Sequence, residues 1–353
     1  MESHVFSGHI YLFYSFDIGE DIHLSLLKED KKLIKKPLKN PMYFKNYHAP
    51  IEIELSNSNN SPYLDSVKIY GFGAIAIRYK VPFSSTLGDL RKELIETSAA
   101  YHETAIKDAQ KVFEQVSYAV KQAQFFHLSN VYEVIQVTPE KALYDGHTLK
   151  ELYGSDIASL LRFETEALAT FKKNEILSAS IGYYKGDLLI VDTEAAFVYD
   201  DSYEDILDIF EFANLQQLEL KYFDKTLDSQ LNAIFNREVG SLSWTAYLPF
   251  WGTIKNDPVG DLGKLRVDIS VIIERINSNI KLVGEPYVSE IYARLADKLD
   301  ILNWQDSLNK KLNIVHDMSH VYANKVDVIR EDILEVLVII LILMELITAL
   351  LKH

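Results

Sequence analysis

Residues Ile333 to Leu351 decide how this chain is organised, and their sequence is ILEVLVIILILMELITALL. Sixteen of these 19 residues are apolar. A helix of this length reaches about 28 Å, close to the roughly 30 Å thickness of the hydrocarbon core of a bilayer. Helices buried in soluble proteins seldom remain apolar on every face over such a length. The stretch therefore predicts a transmembrane helix that serves as a C-terminal tail anchor.

Two glutamates oppose this prediction: Glu335 lies near the start of the segment and Glu345 about two-thirds of the way along it. An ionisable residue near the middle of a membrane costs roughly 2.5 to 3.5 kcal/mol on insertion scales. The aliphatic residues contribute about −0.3 to −0.6 kcal/mol each, and together they outweigh that cost. Glu335 can reach the interface, and we expect Glu345 to be protonated or to face a neighbouring helix. The alternative is a soluble homo-oligomer in which the C-terminal helix is buried.

The composition is that of a globular protein with room for two domains, since the 353 residues are 48% hydrophobic and 25% charged. The net charge of −15 argues against nucleic acid as the main partner, because phosphate binding needs clustered Lys and Arg. The absence of cysteine excludes disulfides, thiolate metal sites and a cysteine nucleophile. The N-terminal residues lack the pattern of a secretory signal. Lys325 and Arg330 precede the apolar segment, so we expect the head in the cytoplasm or an equivalent matrix compartment.

Strand patterns dominate the first 200 residues, and helical patterns continue from about residue 203 to the end. Strands are predicted at 9–16, 51–55, 67–70, 74–79 and 131–137, and a hairpin is predicted from the runs 176–184 and 187–199. The predicted fold is α+β, with a mixed α/β head domain at 1–200, an all-α helical domain at 201–332 and the tail anchor at 333–351.

A long helix is predicted from Leu87 to about Phe126, because no proline interrupts it and apolar or small residues recur every three or four positions. Its second half carries a coiled-coil-like seam of small and β-branched residues, which consists of Ala105, Ala109, Val112, Val116, Ala119 and Ala123. Such a seam can pair within the chain or between chains. We expect it to mediate self-association.

No catalytic or cofactor motif stands out in the sequence. Gly71-Phe72-Gly73 lacks the third glycine of a dinucleotide loop and is followed by a strand pattern. His316 and His320 are four apart, as two metal ligands on one helix face would be, but no third ligand follows at a recognisable spacing. We therefore predict no catalytic residue, no cofactor and no metal site. A hydrolase or nucleotide-binding enzyme in the head would need a polar pocket that the sequence does not reveal.

The segments Ala213 to Leu231 and Gly284 to Met318, with the helix end that follows them, resemble the Required for Meiotic Nuclear Division family, a domain of unknown function. In that family a series of helices ends in an Arg, a Leu-Glu pair, an aliphatic run and a further Glu, and the matching residues here are Arg330, Leu334, Glu335 and Glu345. The strand YGFGAIAI also resembles a family strand. The resemblance implies a membrane protein without established enzymatic activity, linked to organellar translation or to cell division, in which these four residues make anchor or oligomer contacts.

The sequence as a whole predicts a membrane-tethered, non-enzymatic scaffold or adaptor. Its expected partners are membrane lipid, through the C-terminal helix, and further copies of the same chain. The sequence does not identify a protein partner.

Overall fold

The computed structural model describes residues 4–19, 21–37, 49–55, 61–125, 129–236, 263, 266–267, 270 and 286–351. Eleven strands occur in these ranges: β1 (Phe6–Asp17), β2 (Asp21–Ile22), β3 (Ile34–Lys36), β4 (Ile51–Glu54), β5 (Leu64–Tyr70), β6 (Ala74–Ser85), β7 (Val120–Lys121), β8 (Ser129–Val137), β9 (Ser180–Ile181), β10 (Leu188–Val191) and β11 (Ala195–Tyr199). The same ranges contain seven α-helices: α1 (Leu24–Glu29), α2 (Leu87–Val116), α3 (Gly146–Leu160), α4 (Thr170–Ser178), α5 (Glu204–Asn236), α6 (Pro286–Lys298) and α7 (Ile301–Leu351).

Nine of the described strands form one large sheet in the order β3-β4-β5-β6-β1-β8-β11-β10-β9. The central strand β1 pairs with β6 over its whole length, from Phe6 opposite Ser85 to Asp17 opposite Ala74. Its other edge pairs with β8. All pairs are antiparallel except β8 with β11, which run parallel. The chain therefore leaves the sheet after β8 and returns to it through α3 and α4, as a crossover between parallel strands requires.

One face of the sheet is covered by α2, α3 and α4. Alternate residues of β1, among them Ile10, Leu12 and Tyr14, point into this layer and are buried in the main apolar core. The residues between them point to the opposite face, as the period of two in a strand requires. The ring of Tyr11 accordingly lies beside Tyr203, just before α5. The predicted α+β fold class is confirmed, with a large N-terminal sheet, C-terminal helices and a terminal apolar helix.

The long helix is shorter than the sequence predicts. It begins at Leu87, where Thr86 Oγ1 accepts a hydrogen bond from the backbone N–H of Asp89 at 3.1 Å. It ends at Val116 rather than near residue 126, and a 3-10 turn over Ser117–Ala119 leads into β7. The pairing of β7 with β2 supplies sheet hydrogen bonds to residues that would otherwise continue the helix.

The predicted strand at 176–184 is a second correction, because residues 170–178 form α4 and only Ser180–Ile181 are in a strand. Ile176 and Leu177 are buried. Gly154 of α3 lets Leu177 approach closely, since a Cβ at Gly154 would lie 2.7 Å from Leu177 Cδ1. The predicted pairing of the two runs is therefore confined to a short antiparallel ladder, in which Ser180–Ile181 of β9 pair with Ile190 and Leu189 of β10. The second run is itself divided into β10 and β11, which form a further hairpin.

The Gly71-Phe72-Gly73 segment forms the turn between β5 and β6. Gly73 has φ +106°, a value that side-chain-bearing residues rarely adopt, and its N–H donates to the carbonyl of Tyr70. The two glycines thus serve a hairpin turn rather than a phosphate loop.

The chain divides into two compact units. The first comprises Met1–Tyr222 and Ile276–Asn303, and the second comprises Phe223–Arg275 and Trp304–His353. The first unit contains the whole sheet, and it extends beyond the predicted head boundary at residue 200 because the first turns of α5 pack on the sheet. In the second unit, Lys311 Nζ lies 2.7 Å from carboxylate oxygens of both Asp224 and Asp228.

Candidate functional site

The terminal part of α7 is the most unusual surface of the described chain. Residues Glu331–Leu351 form a helix that is long and apolar enough to cross a membrane, and none of its most apolar window is buried in the protein. From Leu334 onward its large aliphatic side chains are exposed on all sides, from 45% for Leu337 to 81% for Leu351. Monomeric soluble proteins rarely expose a continuous apolar surface of this extent.

The anchor residues predicted from the sequence lie along this helix. Leu334, Glu335 and Glu345 are exposed, and Thr348 Oγ1 donates a hydrogen bond to the carbonyl of Glu345 at 2.8 Å. Arg330 belongs to the same helix, but its side chain lies outside the described residues. From Leu334 to Leu351 the side chains of this segment are therefore exposed rather than packed in a core.

The seam predicted on the long helix faces the interior of the protein. Ala105, Ala109, Val112 and Val116 are fully buried in the main core, where α2 packs on β1, β6 and α3. Ala119 is buried after the end of the helix, and Ala123 is exposed. The small side chains allow the helix to approach the sheet closely. The expected self-association through this seam is therefore corrected, because the chain's own core already covers it.

A buried aspartate fixes α2 to the sheet. Asp108 accepts hydrogen bonds from Tyr79 of β6 at 2.9 Å and from Ser61 at 2.5 Å, and Lys111 Nζ lies 3.0 Å from its other oxygen. Buried charges are tolerated when they are paired and hydrogen-bonded in this way. Asp108 therefore contributes to the position of the helix.

A second group of buried charges lies on the opposite face of the sheet, under α5. Lys68 Nζ of β5 lies 2.9 Å from Glu211 Oε1 and 3.0 Å from Asp208 Oδ1. Arg78 Nε of β6 lies 2.6 Å from Asp65 Oδ2, and its Nη1 lies 3.8 Å from Glu211 Oε2. The hydroxyl of Tyr70 also donates to Glu211. We call this group, Asp65, Lys68, Tyr70, Arg78, Asp208 and Glu211, the charged layer.

The electrostatics of the charged layer centre on Glu211. Burial opposes ionisation of Glu211, but Lys68 and Arg78 outweigh it and hold the pKa of Glu211 below its usual range. Burial raises the pKa of Asp208, which Lys68 offsets only in part. Burial lowers the pKa of Lys68, but Glu211 and Asp208 bring it above its usual value. The two cations, Lys68 and Arg78, are thus paired with the three carboxylates of the layer, and these pairs hold α5 on β5 and β6.

A hydrogen-bond network built mainly on side-chain amides continues this contact along α5. The side-chain amide of Asn214 donates to Ser15 Oγ of β1 at 2.9 Å and to the carbonyl of Phe13. Asn130 of β8 donates to Asn214 Oδ1 at 2.8 Å, and Lys221 Nζ donates to Asn130 Oδ1 at 2.8 Å. Polar groups that are buried in this way are satisfied by one another.

Two further carboxyl groups under α5 have few partners. Asp17, at the end of β1, and Glu219 are both buried. Burial raises the pKa of Asp17 to about 7, against the opposing effect of a hydrogen bond with the backbone of Gly19. Burial and the charge of Asp17 raise the pKa of Glu219 well above its usual value. Neither oxygen of Glu219 has a hydrogen-bond partner among the described residues.

These raised pKa values predict that folding becomes less favourable as pH rises. Above the ordinary carboxyl pKa of about 4, the unfolded chain loses protons that the folded chain keeps, so the free energy of unfolding falls towards neutral and alkaline pH.

The side chain introduced by Glu219→Gln cannot ionise, so this variant tests the pH dependence. We expect it to stabilise the protein near pH 8 and to have almost no effect near pH 4. Thermal unfolding in detergent at both pH values measures the difference. Glu204→Gln, at an exposed position of the same helix, is the control, and equal effects of the two variants would contradict the assignment.

The two histidines singled out from the sequence lie on α7. Their rings are perpendicular with centroids 4.3 Å apart, and Arg266 Nη1 lies 2.5 Å from His316 Nδ1. A guanidinium at this distance occupies the nitrogen that a metal would need. Among the residues that the structure describes, no group of three or more His, Cys, Asp or Glu is arranged to hold a metal ion.

The charged layer was not predicted from the sequence, although a signal for it exists. Asp208, Glu211 and Asn214 recur every three residues in the first half of α5, and Glu219 follows them among apolar residues. Lys68 and Arg78 stand in strand patterns that are otherwise rich in apolar residues. A polar stripe opposite inward-facing lysine and arginine predicts buried ion pairs, but only once the partner strands are known.

The fold and the exposed helix define a class of protein, in which one chain carries a mixed α/β head and a helix able to span a membrane. The family model described as "Uncharacterized protein MJ0711, N-terminal domain" matches residues 7–205, more than half of the 353 residues. The chain therefore belongs to this family. The matched region includes nearly all of the nine-stranded sheet, and the prediction of a family of unknown function is confirmed.

A curated relative supports the same family. The uncharacterized protein MJ0711 of Methanocaldococcus jannaschii is 28% identical to this chain over 202 residues, which are 56% of this chain and 60% of the relative. The match thus spans about 60% of the length of that relative. No solved structure matches the chain significantly.

Proposed function

We propose that this protein is a membrane-tethered, non-enzymatic scaffold or adaptor, in which α7 anchors the head to a bilayer. The observation that carries the proposal is the exposure of every described aliphatic side chain from Leu334 to Leu351. A continuous helix pairs its own backbone groups, so it can enter the hydrocarbon core without leaving N–H or C=O groups unsatisfied. Lipid then covers the side chains that the chain itself leaves uncovered.

The orientation follows from charge. Lys325 and Arg330 precede the apolar segment, and an excess of Lys and Arg near the end of a spanning helix favours the cytoplasmic side. We therefore place the head in the cytoplasm or in an equivalent matrix compartment. Glu345 lies within the segment, where charge is costly, so its carboxyl group is expected to be neutral or to meet a neighbouring copy of the helix. Homo-oligomers that form through Arg330, Leu334, Glu335 and Glu345 are part of the proposal.

The interior of the head supports a structural role. The two cations and three carboxylates of the charged layer form ion pairs with one another and bind α5 to the sheet. These charged side chains therefore contact one another inside the fold and do not face a substrate. A rigid head on a membrane tether is suited to hold another macromolecule near the bilayer.

The resemblance to the Required for Meiotic Nuclear Division family indicates the cellular process in which such a scaffold would act. That resemblance rests mainly on residues 213–231 and 284–353, which lie outside the matched range 7–205. The family implies support of organellar translation or of cell division. We propose a role of that kind, with a protein partner still to be identified.

The proposal predicts that lysines in the middle of the apolar segment prevent membrane insertion. The double variant Leu341→Lys with Met344→Lys adds roughly 5 to 7 kcal/mol to the cost of insertion, which is comparable to the whole gain from the aliphatic residues. Flotation of the full chain with liposomes, followed by alkaline extraction, measures integral association. We expect the natural protein to float and resist extraction, and the double variant to do neither.

A matched control separates insertion from general effects of charge. Leu302 and Val321 are exposed aliphatic residues of the same helix, before the apolar segment. The variant Leu302→Lys with Val321→Lys should float as the natural protein does. If the natural protein stays in the soluble fraction without detergent, the membrane proposal is wrong.

A further inference from the structure

A lysine-rich surface lies at one edge of the sheet, in a chain whose net charge is −15. Positions 28–36 contain five lysines, Lys28, Lys31, Lys32, Lys35 and Lys36, against Glu29 and Asp30. No acidic residue follows Asp30 in the sequence until Glu52. This local excess of positive charge contrasts with the net negative charge of the whole chain. We call these five lysines, with Leu26 and Ile34, the basic edge.

The structure brings the basic edge together from the end of α1 and from β3. All five lysines are exposed, and β3 is the outermost of the strands that the structure describes in this sheet. Lys35 Nζ donates to the carbonyls of Lys28 and Asp30, which fixes the end of α1 beside the strand. Asp30 is engaged by the hydroxyl of Tyr118 at 2.6 Å and by the backbone N–H of Lys32 at 2.8 Å. The negative charge of Asp30 is therefore partly balanced by hydrogen bonds within the fold.

Protection of the sheet edge does not account for all of these lysines. Lysines on an edge strand prevent pairing with the strands of other molecules, and this role suits Lys35 and Lys36. Lys28, Lys31 and Lys32 precede the strand and have no edge to protect. Two exposed aliphatic residues, Leu26 at 47% and Ile34 at 53%, lie among the lysines. The surface thus combines flexible positive charges with apolar side chains.

We infer that the basic edge binds the anionic headgroups of the bilayer into which α7 inserts. Lysine ammonium groups act as point charges that suit a fluid headgroup layer, whereas bidentate recognition of phosphates or bases favours arginine, which the basic edge lacks. Exposed aliphatic side chains beside basic residues are typical of surfaces that lie at a membrane interface. Both features favour a lipid surface over a nucleic acid.

This inference rests on the proposed membrane anchor, because the tether keeps the head close to the bilayer. A tethered contact needs little intrinsic affinity, since the local concentration of the second site is high. Each lysine near an anionic surface contributes about a fivefold preference for contact. The preference decreases within about 8 Å of the surface at physiological salt. The head is therefore expected to contact the bilayer only when anionic lipid is present.

The absence of cysteine from the chain allows a direct test with single labels. Position 25 lies beside the basic edge, and position 202 lies in an acidic stretch of the same head. Both positions are exposed, and the two labelled variants are Ser25→Cys and Ser202→Cys. Each full-length variant, labelled with an environment-sensitive fluorophore, is placed in nanodiscs of neutral phosphatidylcholine or of phosphatidylcholine with phosphatidylglycerol. We expect the label at position 25 to shift to shorter wavelength in anionic discs, and the label at 202 to remain unchanged.

Two further measurements decide the origin of the shift. High salt should abolish the shift. The shift should also disappear when Gln replaces four lysines of the basic edge, Lys28, Lys31, Lys32 and Lys36. The control variant, Lys92→Gln with Lys107→Gln, changes two exposed lysines of α2 and should keep the shift. An unchanged label at position 25 in anionic discs overturns the inference while the anchor stands. An equal shift in neutral discs on addition of RNA alone would assign the surface to nucleic acid instead. A chain that fails to enter any disc overturns the anchor, and the inference with it.

Discussion

Removal of every residue after Asp332 is expected to release the protein from membranes as a folded, soluble chain. The segment has no side-chain burial in the described structure, so its loss leaves the sheet and its helices intact. The expected change is complete, from full recovery in the membrane fraction to full recovery in the soluble fraction. Fractionation after expression measures it. Circular dichroism of the released chain shows whether the head has kept its fold.

A shorter truncation provides the control for this result. Removal of only Lys352 and His353 keeps the apolar segment, so that variant should remain in the membrane fraction. If the segment is instead buried in a soluble oligomer, its removal exposes the surface that packed against it. The shortened chain would then aggregate or melt several degrees lower, and the natural protein would be soluble without detergent.

Replacement of Glu211 by Ala is expected to destabilise the head by about 3 to 5 kcal/mol, because it removes the most deeply buried carboxylate partner of Lys68 and Arg78. In a unit of this size that loss lowers the melting temperature by roughly 10 °C. Thermal unfolding in detergent, followed by near-ultraviolet circular dichroism, reports it. Glu204→Ala, at an exposed position of the same helix, should change the melting temperature by about 1 °C or less.

A double variant tests whether charge pairing is the cause. Lys68→Met removes the charge that loses its buried partner in Glu211→Ala, so the two changes together should cost less than the sum of the two alone. Arg78 then keeps Asp65 as its partner at 2.6 Å. Additive effects would mean that Glu211 contributes through packing and not through its charge.

The parts of the fold that follow from local patterns could be predicted from the sequence. The alternation in β1 and β4 and the start of the long helix at Leu87 are such features, because residue periodicity and the Thr86 cap determine them. The apolar segment is equally local. Its length and composition alone indicate a helix that can span a membrane.

Other features depend on contacts that are distant in the sequence. The end of α2 at Val116 is set by the pairing of β7 with β2, about a hundred residues earlier, and no glycine or proline marks it. The sequence pattern of the seam that contains Ala105 and Val112 is the same whether the seam packs on another chain or on a sheet. The charged layer requires Glu211 to meet Lys68 and Arg78 across more than 130 residues. No local pattern specifies that β5 and β6 lie under α5.

Thiol accessibility along α7, in liposomes, tests the membrane anchor most directly. Single cysteines at Val321, Val328, Ile339 and Leu343 replace side chains that are all exposed in the described chain. The anchor predicts that cysteines at 321 and 328 react with a membrane-impermeant maleimide, while those at 339 and 343 react only after detergent is added. Equal reaction at all four positions without detergent would contradict it. Protection of 339 and 343 in the absence of any lipid would also contradict it, because that result places the helix in a protein interface.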